Sequence, residues 1–196
     1  DSGLLIKNGD EKILNLNDCE ITNKNRAYEI QKIVGDIDVL LTQFSFAAWK
    51  GGVKNTKWRM EAAQDKLSTI RLQNNILKPK FVIPFASFIY FSNKLNYYLN
   101  DAVNSLDAVE NFLGDNPSKL VLMQPGDILG GSAPKLNNRK AKTFWTTQRS
   151  KTSIDKTHEY KSVDKPKLTD AFHNYSDRIH LNNNIHAIYY LKFYNR

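Results

Sequence analysis

The stretch that decides the fold is Asp1-Ser-Gly-Leu-Leu-Ile-Lys-Asn-Gly-Asp-Glu-Lys-Ile-Leu-Asn-Leu-Asn-Asp-Cys19. It holds two short apolar runs, Leu4–Ile6 and Ile13–Leu14, separated by Asn8-Gly9-Asp10. Asn, Gly and Asp tolerate the positive φ of a tight turn, so the pattern predicts a β-hairpin. The second strand then ends at Asp18, which places a carboxylate at the edge of a sheet.

Three helix-and-strand pairs are predicted after the hairpin. Apolar residues recur at helical spacing in three segments, and a short apolar run that is typical of a buried strand follows each one. The helices are predicted over Thr22–Gly35, Lys57–Leu77 and Leu99–Leu113, and the strands over Asp36–Gln43, Lys80–Ala86 and Leu120–Met123. Strands that alternate with helices in this way predict an α/β layered domain.

The amino-acid composition of the chain changes after residue 129. Residues 130–166 are polar and basic, and we interpret them as a linker or loop without regular structure. Residues 167–196 are predicted to form a helical tail, because several apolar residues recur there at helical spacing. These are Leu168, Phe172, Tyr175, Ile179 and Leu181.

The composition limits the class of protein to which the chain can belong and the compartment in which it works. With 196 residues, 41% of them hydrophobic, the chain can bury one sizeable core. No apolar run approaches the ~18–20 residues that a membrane span needs, so no membrane partner is expected. A single Cys, Cys19, cannot form an intramolecular disulfide, which favours a reducing, cytoplasmic setting. The sequence contains no P-loop, dinucleotide fingerprint or nucleophile elbow.

The formal net charge of +8 comes largely from a late basic stretch. Its members are Lys135, Arg139, Lys140, Lys142, Arg149, Lys151, Lys156, Lys161, Lys165 and Lys167. One interpretation is a patch for phosphate, nucleotide or nucleic acid. The other is a solvated surface in a Lys- and Asn-rich protein, and we favour it.

Four segments resemble the second half of the metallo-β-lactamase fold: Ile13–Cys19, Asp36–Phe44, Trp58–Lys80 and Val82–Phe88. Within that superfamily they resemble the branch with CMP-N-acetylneuraminate hydroxylase and uncharacterised bacterial relatives. The resemblance covers residues 1–129 and, more loosely, the tail. It implies that this chain is the C-terminal half of a four-layer αββα sandwich. Half a sandwich leaves one sheet face uncovered, so a missing N-terminal half or a second copy is the expected partner.

The resemblance also implies one or two divalent metal ions (zinc, iron or manganese) at the sheet edge. Most family ligands come from a His-x-His-x-Asp-His motif and a further His of the first half, and this sequence has neither. Asp18 matches the family's bridging Asp, although an Asx-turn that closes the strand would also explain it. Asn93 stands where the family has its last ligand, a His, and its carbonyl oxygen is a poorer ligand than imidazole.

A loop that precedes Gly51-Gly52 supplies candidate substrate contacts. The candidates are Gln43, Ser45, Trp49 and Lys50. Loops that follow strands commonly carry substrate contacts, and two glycines make this loop a flexible one. The alternative is that its aromatic side chains merely pack the loop against the domain.

Two hypotheses of function follow. The first is part of a metal-dependent hydrolase, in which a metal-bound hydroxide attacks a carbonyl or phosphoryl centre of a small acidic substrate; a sialic-acid hydroxylase-like oxygenase component is a variant of it. On this hypothesis the chain alone is inactive. The second is a metal-free binding or assembly module for nucleic acid or an acidic nucleotide-sugar. Asn93 in place of His and the late basic stretch motivate the second.

Overall fold

A computed structural model describes residues 2–17, 19, 21–114, 118–130, 136–152 and 164–183, the last range with side chains to residue 178. The chain divides into two compact units, Asp1–Asp155 and Lys156–Arg196. None of the described helices is both long enough and apolar enough to cross a membrane.

The predicted hairpin is confirmed. Strands β1 (Leu4–Asn8) and β2 (Glu11–Asn15) pair antiparallel, with Leu5 opposite Leu14. Gly9 has a φ of 57°, a conformation that glycine adopts without the steric cost that other residues carry. The turn therefore lies where the Asn-Gly-Asp pattern predicts it.

The alternating part of the chain is confirmed as a mixed α/β layer. Strands β3 (Val39–Thr42), β4 (Phe81–Pro84) and β5 (Lys119–Leu120) extend the sheet from β2 in chain order, each parallel to its neighbour. The connections carry α1 (Lys24–Val34), α2 (Thr56–Leu77) and α3 (Leu106–Leu113). Because such crossovers are right-handed, connections between successive neighbours put their helices on the same face of the sheet.

The third predicted helix is split in two. A 3₁₀ helix covers Tyr97–Ala102, and α3 begins only after Ser105. The Ser105 hydroxyl accepts a hydrogen bond from the backbone N–H of Ala108, at 3.1 Å, and so caps the new helix. Strand β5 is also shorter than predicted, because the N–H of Leu122 donates to the side chain of Asn138 and not to a strand.

The interpretation of residues 130–166 as a linker or loop misses a helix, α4 (Asn138–Lys151). The Asn137 side chain accepts a hydrogen bond from the backbone N–H of Lys140 and caps the helix. Ala141 is buried, and Trp145 packs against the same core. In the second unit, α5 (Lys165–Asn183) agrees with the predicted helical tail, whose remaining residues lie outside those described.

The two faces of the sheet are covered unequally. On one face Leu14, Leu40 and Val82 pack under the helices. On the other face the central side chains are buried with only partial cover around them. This second face comprises buried Val39, Ile83 and Val121, and partly buried Ile13, Leu41, Phe81, Met123, Leu129 and Leu136. It is continued by Ile6, which is 46% exposed. In the described part of the first unit, helices therefore pack on one face of the sheet, and the other face is apolar.

Candidate functional site

The carboxyl ends of the parallel strands meet at one edge of the sheet, which is where open α/β sheets commonly bind ligands. Three polar side chains connect there. The Gln43 amide nitrogen donates to Oδ1 of Asn17 at 3.3 Å, and the Lys66 ammonium donates to Oε1 of Gln43 at 3.1 Å. This strand-end chain, Asn17–Gln43–Lys66, links the segments after β2 and β3 to helix α2. It brings two side-chain amides and one ammonium group together at this edge of the sheet.

A buried hydrogen bond between β3 and α2 lies beside the strand-end chain. The Thr42 hydroxyl donates to Oε1 of Gln73 at 2.6 Å, and these residues are 2% and 1% exposed. The cavity beside the chain measures about 20 Å³ and is lined in part by Cys19 and Thr69. That volume holds about one water molecule, so a substrate must approach the strand-end chain from the open edge of the sheet.

Ser45 lies inside the loop and not on its surface. It is 1% exposed, and its hydroxyl accepts a hydrogen bond from the backbone N–H of Asn104 at 3.0 Å. The Asn104 amide also donates to the carbonyls of Phe44 and Ala63, at 2.8 and 2.7 Å. Asn104 thereby joins the end of β3 to α2. The sequence pattern does not predict this role of Asn104, because its partners lie more than forty residues away.

Trp49 presents an aromatic surface. It is 62% exposed, and its ring lies edge-on to that of Trp58 with 5.5 Å between centroids. The indole N–H of Trp49 donates to the Tyr98 hydroxyl, which donates in turn to the carbonyl of Gly51. The exposed indole is thus held in place and accessible to a ligand. Lys50 beside it is half-buried.

The loop that carries Trp49 is anchored by a buried guanidinium. Arg59 is 1% exposed and donates to the carbonyls of Gly52 and Val53, at 2.7 and 3.1 Å. It also forms an ion pair with Asp101 at 2.6 Å, which lowers the pKa of that carboxyl and raises the pKa of Arg59. The loop is therefore fixed at its glycines, contrary to the flexibility expected from Gly51-Gly52.

The two predicted metal ligands are Asp18 and Asn93. Asp18 lies outside the described residues. Asn93 is half-buried, and its Oδ1 accepts a hydrogen bond from the backbone N–H of Leu95 at 2.9 Å. In the part of the chain that the structure describes, no group of three or more His, Cys, Asp or Glu residues is placed to hold a metal ion. The described residues therefore do not fit a metal by themselves. Cys19 is buried in the apolar core.

The predicted substrate contacts separate into different surroundings. Gln43 joins the strand-end chain, Trp49 joins Trp58 and Tyr98, and Ser45 is buried. Comparisons of the chain with protein-family models, with curated proteins and with solved structures each found no match. The chemistry of the site therefore rests on its own geometry.

Proposed function

We propose that this chain is the C-terminal half of a metallo-β-lactamase-like αββα domain and forms part of a metal-dependent hydrolase. The observation that carries the proposal is the unequal layering of the sheet. Helices α1, α2 and α3 cover one face, whereas Ile13, Leu41 and Phe81 on the other face are only partly buried. A second sheet packed on that face would complete such a sandwich.

The strand-end chain gives this half a defined role in the site. Asn17 immediately precedes Asp18, and its bond to Gln43 fixes the end of the segment that carries the proposed ligand. Lys66 holds Gln43 in turn, through its hydrogen bond to Oε1. Trp49 supplies an exposed ring for the substrate. The remaining ligands would come from the other half, since the described residues do not form a set of their own.

Intact mass and elemental analysis of the protein, purified from its native source, test this proposal. Stoichiometric zinc, iron or manganese in a larger protein supports it, and a metal-free protein overturns it. Asp18→Asn is expected to lower the metal content to about half or less, because a carboxylate ligand is lost. Asp38→Asn is the matched control, since the Asp38 carboxylate is engaged by Lys80 and by the N–H of Lys12.

A second candidate, a metal-free binding module for nucleic acid or an acidic nucleotide-sugar, is favoured by α4. This helix carries five basic residues and no acidic one: Arg139, Lys140, Lys142, Arg149 and Lys151. Basic helices of this kind attract phosphates. The hydrogen bond from Leu95 N–H to Asn93 also gives that Asn a turn-forming role that needs no metal.

Fluorescence anisotropy with a labelled single-stranded oligonucleotide tests the second candidate. If α4 neutralises phosphates, affinity falls about 10-fold or more between roughly 50 and 200 mM salt. Arg139→Gln with Lys140→Gln then flattens the salt dependence, whereas Lys32→Gln on α1 leaves it unchanged. Lys32, Arg139 and Lys140 are all exposed, so these substitutions remove charge without disturbing the core. No retention at low salt removes the nucleic-acid form of this candidate.

A further inference from the structure

A separate cleft lies between α4, the segment that follows β4 and the start of α3. Its volume is about 150 Å³. The apolar part of its wall includes Phe88, Ile89, Tyr90 and Trp145. Asn17, Asn93 and Trp49 do not line it, so the cleft is a different place from the strand-end chain and the Trp49 surface.

The aromatic wall of this cleft is preformed. The indole N–H of Trp145 donates to the carbonyl of Met123 at 2.8 Å. The Phe88 ring stacks on the indole with 3.7 Å between centroids and 13° between planes. A ligand that enters therefore meets a wall already held in one orientation, and little ordering entropy is lost on binding.

Among the residues that the structure describes, the two cations that line the cleft differ in their partners. Lys142 lies 2.9 Å from Asp107 and 2.5 Å from Glu110, so its ammonium group is already engaged by two carboxylates. Arg149 is half-buried, and its guanidinium makes only a 3.5 Å contact with the carbonyl of Asn100 and a 6.0 Å approach to the Tyr90 ring centre. Among the described residues, no carboxylate forms an ion pair with Arg149.

We infer that this cleft binds a small monocyclic aromatic carboxylate, with its ring against Trp145 and Tyr90 and its carboxylate on Arg149. An apolar cavity of about 150 Å³ holds one benzene ring, so the volume selects a single ring. The planar fork of a guanidinium matches the two oxygens of a carboxylate. One unpaired guanidinium balances one negative charge, whereas a phosphate monoester carries close to two.

Gln148 adds a second polar group to the same wall. It is half-buried and lines the cleft one residue before Arg149. Its amide can donate to a ring substituent or to the carboxylate. The site depends on neither a metal nor a second half of the domain, so it stands apart from the proposed hydrolase.

Calorimetric titration of the full chain with three probes tests the inference. Sodium benzoate has the ring and the charge, benzamide has the ring alone, and acetate has the charge alone. Benzoate is expected to bind about 10-fold or more tightly than either of the others, because each lacks one of the two contacts. Equal binding of benzoate and benzamide overturns the role of Arg149. No heat with benzoate at millimolar concentration overturns the site.

Variants on α4 separate a binding role from a structural one. Arg149→Met is expected to weaken benzoate about 10-fold or more and to leave benzamide unchanged. Arg139→Met on the same helix is the matched control and leaves both unchanged, since Arg139 does not line this cleft. Unchanged benzoate affinity in Arg149→Met contradicts the inference. Thermal unfolding of both variants checks that each one folds.

Nuclear magnetic resonance locates the bound probe. The three Trp residues give three indole N–H signals, and Trp145→Phe assigns that of Trp145. Benzoate in the cleft is expected to shift the Trp145 signal through the ring current of the probe, while those of Trp49 and Trp58 stay in place. A shift confined to Trp49 or Trp58 places the probe on the other aromatic surface and overturns the assignment.

Discussion

Arg59 and Asp101 form a bidentate ion pair, with Nε 2.7 Å from Oδ1 and Nη2 2.6 Å from Oδ2. The Arg59 side chain is 1% exposed and that of Asp101 is 36% exposed. The pair ties the first turn of α2 to the 3₁₀ helix, and the same guanidinium holds the carbonyl of Gly52. One buried cation thus fixes both the loop that carries Trp49 and the segment that positions Tyr98.

Asp101→Asn is expected to lower the free energy of unfolding by about 1.5–3 kcal/mol at neutral pH, because a charge-assisted pair is lost. Arg59 lowers the pKa of Asp101 below its value in the unfolded chain. The stability from the pair is therefore present above about pH 4 and is lost as the pH falls through the folded pKa. Urea unfolding from neutral to acidic pH measures this.

The gap in stability between wild type and Asp101→Asn is thus expected to shrink as the pH falls. Asp65→Asn, at an exposed position of α2, is the control and leaves the stability within about 0.5 kcal/mol of wild type. A gap that stays constant down to strongly acidic pH contradicts the assignment of the pair.

The fold is predictable from the sequence where local signals decide it. The Asn8-Gly9-Asp10 turn and the apolar spacing of Thr56–Leu77 both specify structure within a few residues. The spacing of apolar residues does not predict helix α4, because the contacts of this helix are distant in sequence. Trp145 gains burial from Phe88 and bonds to Met123, and neither partner is visible in the spacing of the helix itself.

The site is less predictable for the same physical reason. The position of Gln43 after a strand predicts a substrate contact, but its partners Asn17 and Lys66 lie 26 and 23 residues away. Arg59 and Asp101 are 42 residues apart and occupy positions that a helical pattern assigns to solvent. A spacing rule detects faces of single elements, whereas these bonds depend on how α2 packs on the sheet.

The buried bond between Thr42 and Gln73 gives a second prediction. Thr42→Val keeps the shape of the side chain but leaves Oε1 of Gln73 without its donor in the core. We expect a loss of about 1–3 kcal/mol in the free energy of unfolding, measured by urea titration. The double variant Thr42→Val with Gln73→Leu should recover part of that loss, since neither polar group then remains. Absence of any recovery would argue that the bond is not the cause.

Lys142 gives a prediction at alkaline pH. A hydrogen bond to Glu110 and, to a smaller extent, one to Asp107 raise the pKa of Lys142 above its value in the unfolded chain. Its contribution is therefore fully present below about pH 10.4 and is lost as the pH rises through the folded pKa. Lys142→Met is expected to cost about 0.5–1 kcal/mol near neutrality, because both acids are partly exposed.

Replacing Lys142 with arginine tests whether loss of its positive charge causes the alkaline loss of stability. Lys142→Arg stays protonated throughout the alkaline range, so its unfolding free energy should fall less than that of wild type as the pH rises. Denaturant titrations of the two proteins at neutral and alkaline pH measure the difference. Parallel curves for both would show that another group, and not Lys142, governs the alkaline loss.

Gly51 and Gly52 are adjacent but have unequal roles. Gly51 has a φ of 80°, and a Cβ there would lie 2.5 Å from Cβ of Asn55 and 2.8 Å from Cε3 of Trp58. Gly51→Ala is therefore expected to lower the free energy of unfolding by about 2 kcal/mol or more and to shift Trp emission, because Trp58 must move.

At Gly52 the nearest atom to a new Cβ is Oδ1 of Asn55, at 3.7 Å. Gly52→Ala is the matched control and should stay within about 0.5 kcal/mol of wild type. Similar losses in the two variants would mean that the backbone at Gly51 is not the constraint that positions the tryptophan pair.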